Sequence, residues 1–360
     1  MKRLKGLLFC FAAVGMMLCA AAMVLAGGQS EATQGKAKRV TIGFSSPSLI
    51  GGQLDIQNSL VQPAEKMGWQ VVTTNANGDV AKQLNDIQYF ISLGVNAIVA
   101  TPQDSAAICT AVQKANQAHI PFFTIDRGTT GCKIAMTVES NNVQGGQQAA
   151  ESLVQYLKQK YNGVVKGKVL EITGDLGQNV GVQRRDGFDQ VIKKYPEVQL
   201  IEKVGNWDAA KAEQAVLDVA SANPDLDSIY LASDYVYISG TLSALKQAGM
   251  LHKRGEAGHV YICSVDGSPI GLQAIRDGWA DEASGQPVND FGSLVLRFIP
   301  QVLKGEPVQP GPVTEEGALW SPSKVTINKD GTPVLELSTV RVTIDNVNNP
   351  HLWGNVSVNK

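Results

Sequence analysis

Histidine, cysteine and basic runs are scarce in this sequence, and their scarcity excludes several classes of function. The four histidines are scattered through the chain without the spacing of metal ligands. Lys+Arg 31 nearly balances Asp+Glu 33, and no basic block marks a nucleic-acid interface. Motifs for a nucleophile elbow, a zinc protease or a phosphate-binding loop do not occur. We therefore expect no metal, no cofactor, no nucleic-acid partner and no catalytic residues.

Cysteine is limited to five residues, two of which, Cys10 and Cys19, lie in the apolar N-terminal segment. The other three, Cys109, Cys132 and Cys263, are an odd number, so at most one disulfide can form among them. A Cys109–Cys132 bridge is possible in an oxidising compartment, and buried inert thiols are the alternative. The sequence leaves this choice open.

The N-terminus has the pattern of an export signal. A positively charged start precedes an apolar stretch over residues 7–25, and the small residues that end at Ala26 predict a cleavage site. We predict a signal peptide over 1–26 and a polar linker over 27–39, which directs the mature protein to the periplasm. The alternatives are a transmembrane anchor, because the apolar stretch is nearly long enough to span, and lipid anchoring to the cell envelope through Cys19.

Short apolar runs alternate with longer helical patterns from Val40 onward, and the rhythm starts again after Asn141. Such alternation predicts parallel sheets with helices on both faces, and 360 residues allow two domains of ordinary size. We predict an α/β protein of two doubly wound parallel-sheet lobes joined by a multi-strand hinge, with crossings near Asn141, Gln286 and Pro310. The predicted boundaries are 40–141 plus 287–311 for the N-terminal lobe, 142–286 plus 312–345 for the C-terminal lobe, and 346–360 for a C-terminal tail.

Aspartates end three of the predicted strands. In the stretch IPFFTIDRG over residues 120–128, a short buried strand is followed by Asp126 and Arg127, and two later strands end at Asp234 and Asp266. Ligands of open parallel sheets bind outside the carboxyl ends of the strands, so these acceptors and donors suit a ligand rich in hydroxyls. The alternatives are a surface ion pair between Asp126 and Arg127, and helix capping by the aspartates, above all by Asp234.

Two further side chains are candidate ligand contacts. Arg184 lies on the first turns of a helix that follows a polar loop, and Trp207 lies in a polar loop after a strand. A guanidinium fork can donate to a ligand, and an indole ring can stack on the apolar C–H face of a sugar. The alternatives are a solvated helix charge at Arg184 and a ring folded back onto its own lobe at Trp207.

Several segments, taken in order, cover nearly all of the mature chain: VTIGFSSPS at Val40, TPQDS at Thr101, IPFFTIDR at Ile120, VESNNVQGGQQAA at Val138, QRRDGF at Gln183, LASD at Leu231, ICSVDGSP at Ile262 and LKGEPV at Leu303. Together they resemble the type I periplasmic binding proteins of ABC transporters, in the group that includes the ribose and galactose binding proteins. The resemblance implies the periplasmic binding protein-like I fold, with the ligand held in a cleft between two lobes.

The resemblance also implies roles for particular residues. Asp126 and Arg127 match the first-lobe pair that binds sugar hydroxyls, and Arg184 and Asp266 match the second-lobe arginine and aspartate. Trp207 falls where a stacking aromatic is expected. The other site residues that the resemblance implies are Ser45 and Asn141, both within the matching segments, Ser233 in the usual place of an asparagine before Asp234, and Gln286 near the hinge.

The first loop departs from the family pattern. It reads SSPSLIGG over residues 45–52 and lacks the aromatic residue that stacks on the sugar, unless Phe44 replaces it. Because Ser233 is also unusual, the identity of the sugar does not carry over from the ribose or galactose binding proteins.

We therefore interpret the chain as a non-enzymatic, exported solute-binding protein that works as a monomer. It would capture a monosaccharide or related polyol between its lobes and deliver it to the permease and ATPase subunits of an ABC transporter. One alternative is a periplasmic ligand sensor for a chemoreceptor or histidine kinase. Another is a secreted glycosidase, which the lack of a recognisable acid/base motif disfavours.

Overall fold

Strands and helices alternate along the chain. The computed structural model of the protein describes residues 39–356, so the predicted signal peptide, the lipidation site Cys19 and nearly all of the polar linker lie outside the described residues. The strands are β1 (Thr41–Ser46), β2 (Gln70–Asn75), β3 (Ala97–Ala100), β4 (Phe122–Ile125), β5 (Met136–Ser140), β6 (Gly167–Thr173), β7 (Val198–Val204), β8 (Leu226–Leu231), β9 (Tyr261–Asp266), β10 (Glu282–Gly285), β11 (Gly311–Val313), β12 (Ser323–Ile327), β13 (Pro333–Leu337) and β14 (Val340–Val342). The helices are α1 (Gln53–Lys66), α2 (Val80–Leu93), α3 (Cys109–Gln117), α4 (Asn142–Lys160), α5 (Asn179–Ile192), α6 (Ala209–Ala222), α7 (Asp234–Gln247), α8 (Pro269–Arg276), α9 (Phe291–Leu303) and α10 (Trp353–Val356).

Two sheets form the two lobes. The first has the strand order β11-β12-β13-β5-β4-β3-β1-β2, and the second has the order β14-β10-β9-β8-β6-β7. Antiparallel pairing is confined to one end of each sheet, between β11, β12 and β13 in the first and between β10 and β14 in the second. The predicted class of two doubly wound α/β lobes is confirmed, with sheets that are mixed although parallel pairs dominate.

Helices cover both faces of each sheet. In the first lobe α1 and α9 pack on one face, and α2 and α3 pack on the other. In the second lobe α4 and α5 face α6, α7 and α8 across the sheet. Strands buried on both faces read as continuous apolar runs, which is why β3 (AIVA) and β4 (FFTI) are buried at every position. Polar binding groups are therefore found in the loops at the strand ends.

The chain passes between the lobes at three points within residues 39–356: after Ser140, after Gly285, and at residues 338–339. The third point corrects the crossing predicted near Pro310 and the assignment of 312–345 to the C-terminal lobe. Leu335 in β13 pairs with Val138 in β5, and β12 pairs with β13, so this stretch extends the first sheet. Of the segment 312–345, the strand that joins the second sheet is β14.

The described part of the C-terminal tail, residues 346–356, packs against both lobes. Val347 and Leu352 are buried in the core of the second lobe, while Trp353 is buried in the core of the first. Helix α10 lies against α8. The tail is therefore an integral part of the fold.

Cysteine pairing follows one of the two patterns that the sequence leaves open. Cys109 and Cys132 form a disulfide with a Cα–Cα distance of 5.7 Å, and Cys263 is a buried free thiol. In the part of the chain that the structure describes, no helix has both the length and the apolar character that a membrane span requires.

Candidate functional site

Loops at the carboxyl ends of strands from both lobes enclose a cleft of about 440 Å³. It brings together most of the residues that the sequence singles out. The predicted site residues that line it are Asp126, Arg127, Arg184, Trp207, Ser233, Asp266 and Gln286.

Asp126 and Arg127 form the first-lobe wall of the cleft, directly after β4. Asp126 accepts a hydrogen bond of 3.0 Å from Gln53 Nε2, and Arg127 Nη1 donates to the carbonyl of Pro102 at 3.2 Å. Arg127 Nε lies 3.6 Å from Asp126 Oδ2. Burial lowers the pKa of Arg127, and the nearby Asp126 opposes this effect. Both residues are buried, which excludes the alternative of a surface ion pair.

Arg184 and Asp266 form the second-lobe wall. Arg184 projects from α5, where its Nε donates to Asn142 Oδ1 at 2.9 Å and its Nη1 donates to Asp266 Oδ1 at 3.1 Å. Asp266 also accepts hydrogen bonds from Ser233 Oγ and Gln286 Nε2. Burial raises the pKa of Asp266, and Arg184, Ser233 and Gln286 oppose the rise. Arg184 is 4% exposed, so it is not a solvated helix charge.

Trp207 lines the cleft and also packs on its own lobe. Its ring lies against Gly174, where a Cβ atom would come within 2.1 Å of the indole, so only glycine fits there. The indole Nε1 donates to Gln178 Oε1 at 2.6 Å, and Arg184 Cζ lies 5.6 Å from the ring centroid. The ring of Trp207 is therefore both folded back onto its own lobe, as the alternative proposes, and exposed to the cleft. Stacking on a ligand stays a prediction.

Two residues of the first strand, Phe44 and Ser45, were wrongly predicted to contact the ligand. Phe44 is fully buried among the first-lobe helices, so it does not replace the missing aromatic of the first loop. Ser45 is also fully buried and does not line the cleft. Both belong to β1, whose two faces are covered by helices, and the cleft is reached only by the following loop, through Ser48 to Gly52.

Asn141 and Asp234 also lie outside the cleft lining, because both bind backbone amides. Asn141 caps α4 by accepting from the amide of Gln144 at 2.9 Å. Asp234 accepts from the amides of Gly267 at 2.9 Å and Ser268 at 3.1 Å. Asp234 thereby fixes the loop before α8, which is neither the predicted ligand contact nor the predicted cap of the next helix, because Ser233 caps α7.

Buried polar atoms without a hydrogen-bond partner among residues 39–356 occur at the cleft as well as elsewhere in both lobes. They include Gln53 Oε1, Arg127 Nε and Gln286 Oε1, and all three residues line the cleft. Buried polar groups are nearly always paired in native proteins, so unpaired ones at one place indicate a site where a polar ligand completes the pairing.

Strained backbone is concentrated at the same place. Asp126 has a φ of 67°, Asp266 of 120° and Trp207 of 54°, and all three line the cleft. Non-glycine residues adopt positive φ at a cost, and such strain clusters at functional sites. The positive φ angles orient the two aspartates and the indole so that they line the cleft at the ends of their strands.

Several cleft residues escaped the sequence analysis. Gln53 begins α1 and reaches Asp126, while Tyr235 and Trp353 form a pair of parallel rings with centroids 5.8 Å apart. A signal for Trp353 was present, because it is a tryptophan within a polar segment, the same feature that marks Trp207. Gln53 carried no signal, because one amide in an amphipathic helix resembles any other.

Hydrogen bonds join the lobes at the far side of the cleft. Asn179, the first residue of α5, donates from Nδ2 to Glu139 Oε2 at 2.8 Å and accepts from the amide of Gly128 at 3.0 Å. Its own amide donates to Ser105 Oγ at 3.1 Å. Burial raises the pKa of Glu139 to about 8. These contacts hold the lobes together in a closed arrangement.

The cleft offers hydrogen bonding and ring contact. Carboxylates accept from hydroxyls, guanidinium groups and amides donate to them, and the groups stand on both walls. Among the described residues, 39–356, no group of three or more His, Cys, Asp and Glu side chains is placed to hold a metal ion. The arrangement is suited to binding a small polar molecule through contacts from both lobes.

Each of the two lobes contains a mainly parallel sheet, and several chain segments form the hinge between them beside a polar cleft. This architecture is that of a bilobal ligand-binding protein of type I. The chain belongs to the periplasmic binding protein family, because the model described as "Periplasmic binding protein domain" matches residues 42–307. The resemblance stated from the sequence segments is thereby confirmed.

Relatives of known name agree with this membership. The chain is 28% identical over 256 residues to the ribose import binding protein of Escherichia coli (strain K12), covering 71% of this chain and 82% of that one. It is also 28% identical to the xylitol-binding protein of Mycolicibacterium smegmatis, covering 68% of this chain and 66% of that one. A solved structure of an ABC transporter solute binding protein from Mycobacterium smegmatis with bound glycerol matches with 25% identity and a TM-score of 0.72, covering 86% and 96% of the two chains.

Proposed function

We propose that this protein binds a small polyhydroxylated ligand, a monosaccharide or related polyol, in the cleft and delivers it to an ABC transporter permease. The observation that carries the proposal is the placement of a carboxylate and a guanidinium on each wall, beside unpaired buried polar atoms. A ligand that touches both walls favours the closed arrangement over an open one, which is how binding is coupled to closure. Binding without catalysis is the role that this arrangement supports.

The names of the relatives support the same ligand class. Ribose, xylitol and glycerol are all small molecules rich in hydroxyls, and they are named for the two relatives and for the solved structure. The cleft of about 440 Å³ is within the usual range for a small-molecule site. The first-loop sequence and Ser233 differ from the pattern of the ribose binding proteins, so we extend the proposal to the class and not to one sugar.

The test is thermal unfolding of residues 27–360 against a panel of pentoses, hexoses, polyols and nucleosides. A ligand at 100 times its dissociation constant adds about 2.7 kcal/mol to the free energy of unfolding, which raises the melting temperature measurably. We expect a rise with one compound class and no rise with that class in the Asp266→Ala variant. The matched control is Asp225→Ala, because Asp225 is an exposed aspartate at the surface. A flat response of the folded protein across the panel would refute the proposal.

Delivery and export need separate measurements. We expect cells that lack the gene to lose uptake of the radiolabelled ligand, and expect the intact gene, but not the Asp266→Ala gene, to restore it. Unchanged uptake in the deletion strain would favour the sensor alternative. We also expect the mature protein from the periplasm to begin at Gly27 by mass spectrometry, whereas a lipid-modified N-terminus at Cys19 would support anchoring to the envelope.

A further inference from the structure

Trp353 stands between the cleft and a second cavity on the hinge side. The second cavity has a volume of about 260 Å³, and its walls include Trp320, Val340 and Leu352. Trp353 and Gln286 line both cavities. The side chain of Gln286 is held by its hydrogen bond to Asp266. The bulky group that separates the two cavities is therefore the indole of Trp353.

The indole is fixed in place by contacts with both lobes. Its Nε1 donates to Asp55 Oδ2 in the first lobe at 3.0 Å, and its ring lies parallel to that of Tyr235 in the second lobe. Gly52 leaves room for it, since a Cβ atom at that position would come within 3.0 Å of the ring. Trp353 is 4% exposed. A ring held this firmly does not swing aside to admit a longer ligand.

The segment that carries the indole is anchored to the second lobe. Leu352 packs in the core of that lobe, and the backbone of Gly354 lies against the carbonyl of Gly267. Arg276 in α8 donates to the carbonyl of Val347 at 3.2 Å and to Asn355 Oδ1. The position of the partition is therefore set mainly by the packing of the tail segment against the second lobe.

We propose that Trp353 is a specificity-determining residue that limits the length of the ligand. The inference rests on the proposed function, because it takes the cleft as the binding site. The hinge-side cavity is lined by the apolar side chains of Trp320, Val340 and Leu352 together with polar residues such as Asp290, Glu315 and Glu316, so its apolar part would accommodate an apolar substituent on a sugar or polyol. The indole blocks that space, so the protein admits the free sugar and rejects a derivative that carries such a substituent toward the hinge.

The test compares the wild type with Trp353→Ala by titration calorimetry. The probes are the free sugar or polyol that binds the wild type and its mono-O-benzyl ethers, with the benzyl group at each hydroxyl in turn. We expect the wild type to bind every benzyl ether at least 100-fold more weakly than the free compound. We expect Trp353→Ala to bind the ether at one position at least 10-fold more tightly than the wild type does, and expect Asp266→Ala in that background to abolish the gain.

Control variants separate this role from general packing. Trp279 is a tryptophan that lines neither cavity, with Lys253 Nζ 4.7 Å from its ring centroid, and Trp279→Ala is expected to give no gain for any ether. Circular dichroism checks folding, and Trp353→Leu replaces the alanine variant if that variant does not fold. If a folded Trp353 variant still bound the free sugar but bound no benzyl ether more tightly than the wild type does, the proposal that Trp353 limits ligand length would be wrong. A wild type that binds no sugar or polyol would instead refute the proposed function, and the partition would fall with it.

Discussion

Asn179 of the second lobe and Glu139 of the first are joined by a hydrogen bond of 2.8 Å between Nδ2 and Oε2. Asn179 Oδ1 accepts a further bond from the amide of Gly128, so one side chain holds two first-lobe elements. Asn179 is the first residue of α5, the helix that carries Arg184. Closure of the lobes and placement of the second-lobe arginine are thus linked through one helix.

The Asn179→Ala variant should therefore close less readily. Loss of two hydrogen bonds between the lobes should destabilise the closed state by about 1–3 kcal/mol relative to the open state. The apparent dissociation constant of the ligand should then rise roughly 5–150-fold. Small-angle scattering should show a larger radius of gyration for the ligand-free variant than for the wild type. The control is Asn116→Ala, at an exposed position of α3, which should change neither quantity. Equal affinity and equal radius in Asn179→Ala and wild type would show that these bonds do not govern closure.

Replacement of Arg184 by methionine should make stability depend more strongly on pH. Arg184 opposes the rise of the Asp266 pKa that burial causes, so its loss raises that pKa further. A carboxyl with a raised pKa stabilises the fold below its unfolded pKa, and this stabilisation is lost as the pH rises through the folded value. We expect urea unfolding to give a loss of about 3–5 kcal/mol at pH 8, and a smaller loss at pH 4.

Arg185→Met is the matched control for that experiment, because Arg185 is the next residue of α5 and pairs with Asp186 at the surface. It should cost less than about 1 kcal/mol at either pH. If Arg184→Met lost the same free energy at pH 4 and pH 8, the Arg184–Asp266 pair would not be the origin of the effect.

Glu171 in β6 is a second source of pH dependence. It is fully buried, its carboxylate has no hydrogen-bond partner among the described residues, and burial raises its pKa to about 9. The stability that its neutral form provides is therefore lost as the pH rises from about 4.5 toward 9. Glu171→Gln cannot ionise, so relative to the wild type it should gain about 1–3 kcal/mol between pH 5 and pH 9.

Chemical denaturation at several pH values measures this gain. The exposed residue Glu197 provides the control, since Glu197→Gln should leave the pH profile of the wild type unchanged. A Glu171→Gln profile parallel to that of the wild type would mean that Glu171 ionises in the native state as it does in the unfolded chain.

The Cys109–Cys132 disulfide closes a segment of 23 residues, which should stabilise the protein by restricting the unfolded chain. By chain-entropy arithmetic the loss in the Cys109→Ser/Cys132→Ser variant is about 3 kcal/mol. Dithiothreitol should destabilise the wild type by a similar amount and leave the double variant unaffected. Identical stability of reduced and oxidised wild type would show that the unfolded chain is not restricted in this way.

Local sequence patterns predicted the elements of the fold better than their assembly. The β–α rhythm predicted two doubly wound lobes because central strands such as β3 and β4 are buried on both faces, while the helices between the strands are buried on one. The lobe to which residues 311–337 belong depends on the pairing of Leu335 with Val138, and no local pattern records a partner so distant in the chain. Two strands only two residues apart, β13 and β14, accordingly belong to different sheets.

The candidate site shows the same division. Asp126, Arg127 and Asp266 were predictable because a charged residue after an apolar strand must lie at the sheet edge. Phe44 was misplaced because its position on the buried part of β1, and not its chemistry, decides what it contacts. Trp353 was missed because its contacts with Asp55 and Tyr235 join the end of the chain to two distant helices.

The pairing of β13 with β5 also has a consequence for the order of folding. A ribosome makes β1 to β5 of the first sheet, then β6 to β10 of the second, and only afterwards β11 to β13, which complete the first sheet, and β14, which completes the second. Until β13 arrives, β5 presents an unpaired edge, which is the kind of surface that invites association with other chains. Contacts between such distant segments also slow folding. The two lobes therefore cannot mature one after the other, and both should become resistant to proteases in a newly made chain only after β13 and β14 have been made.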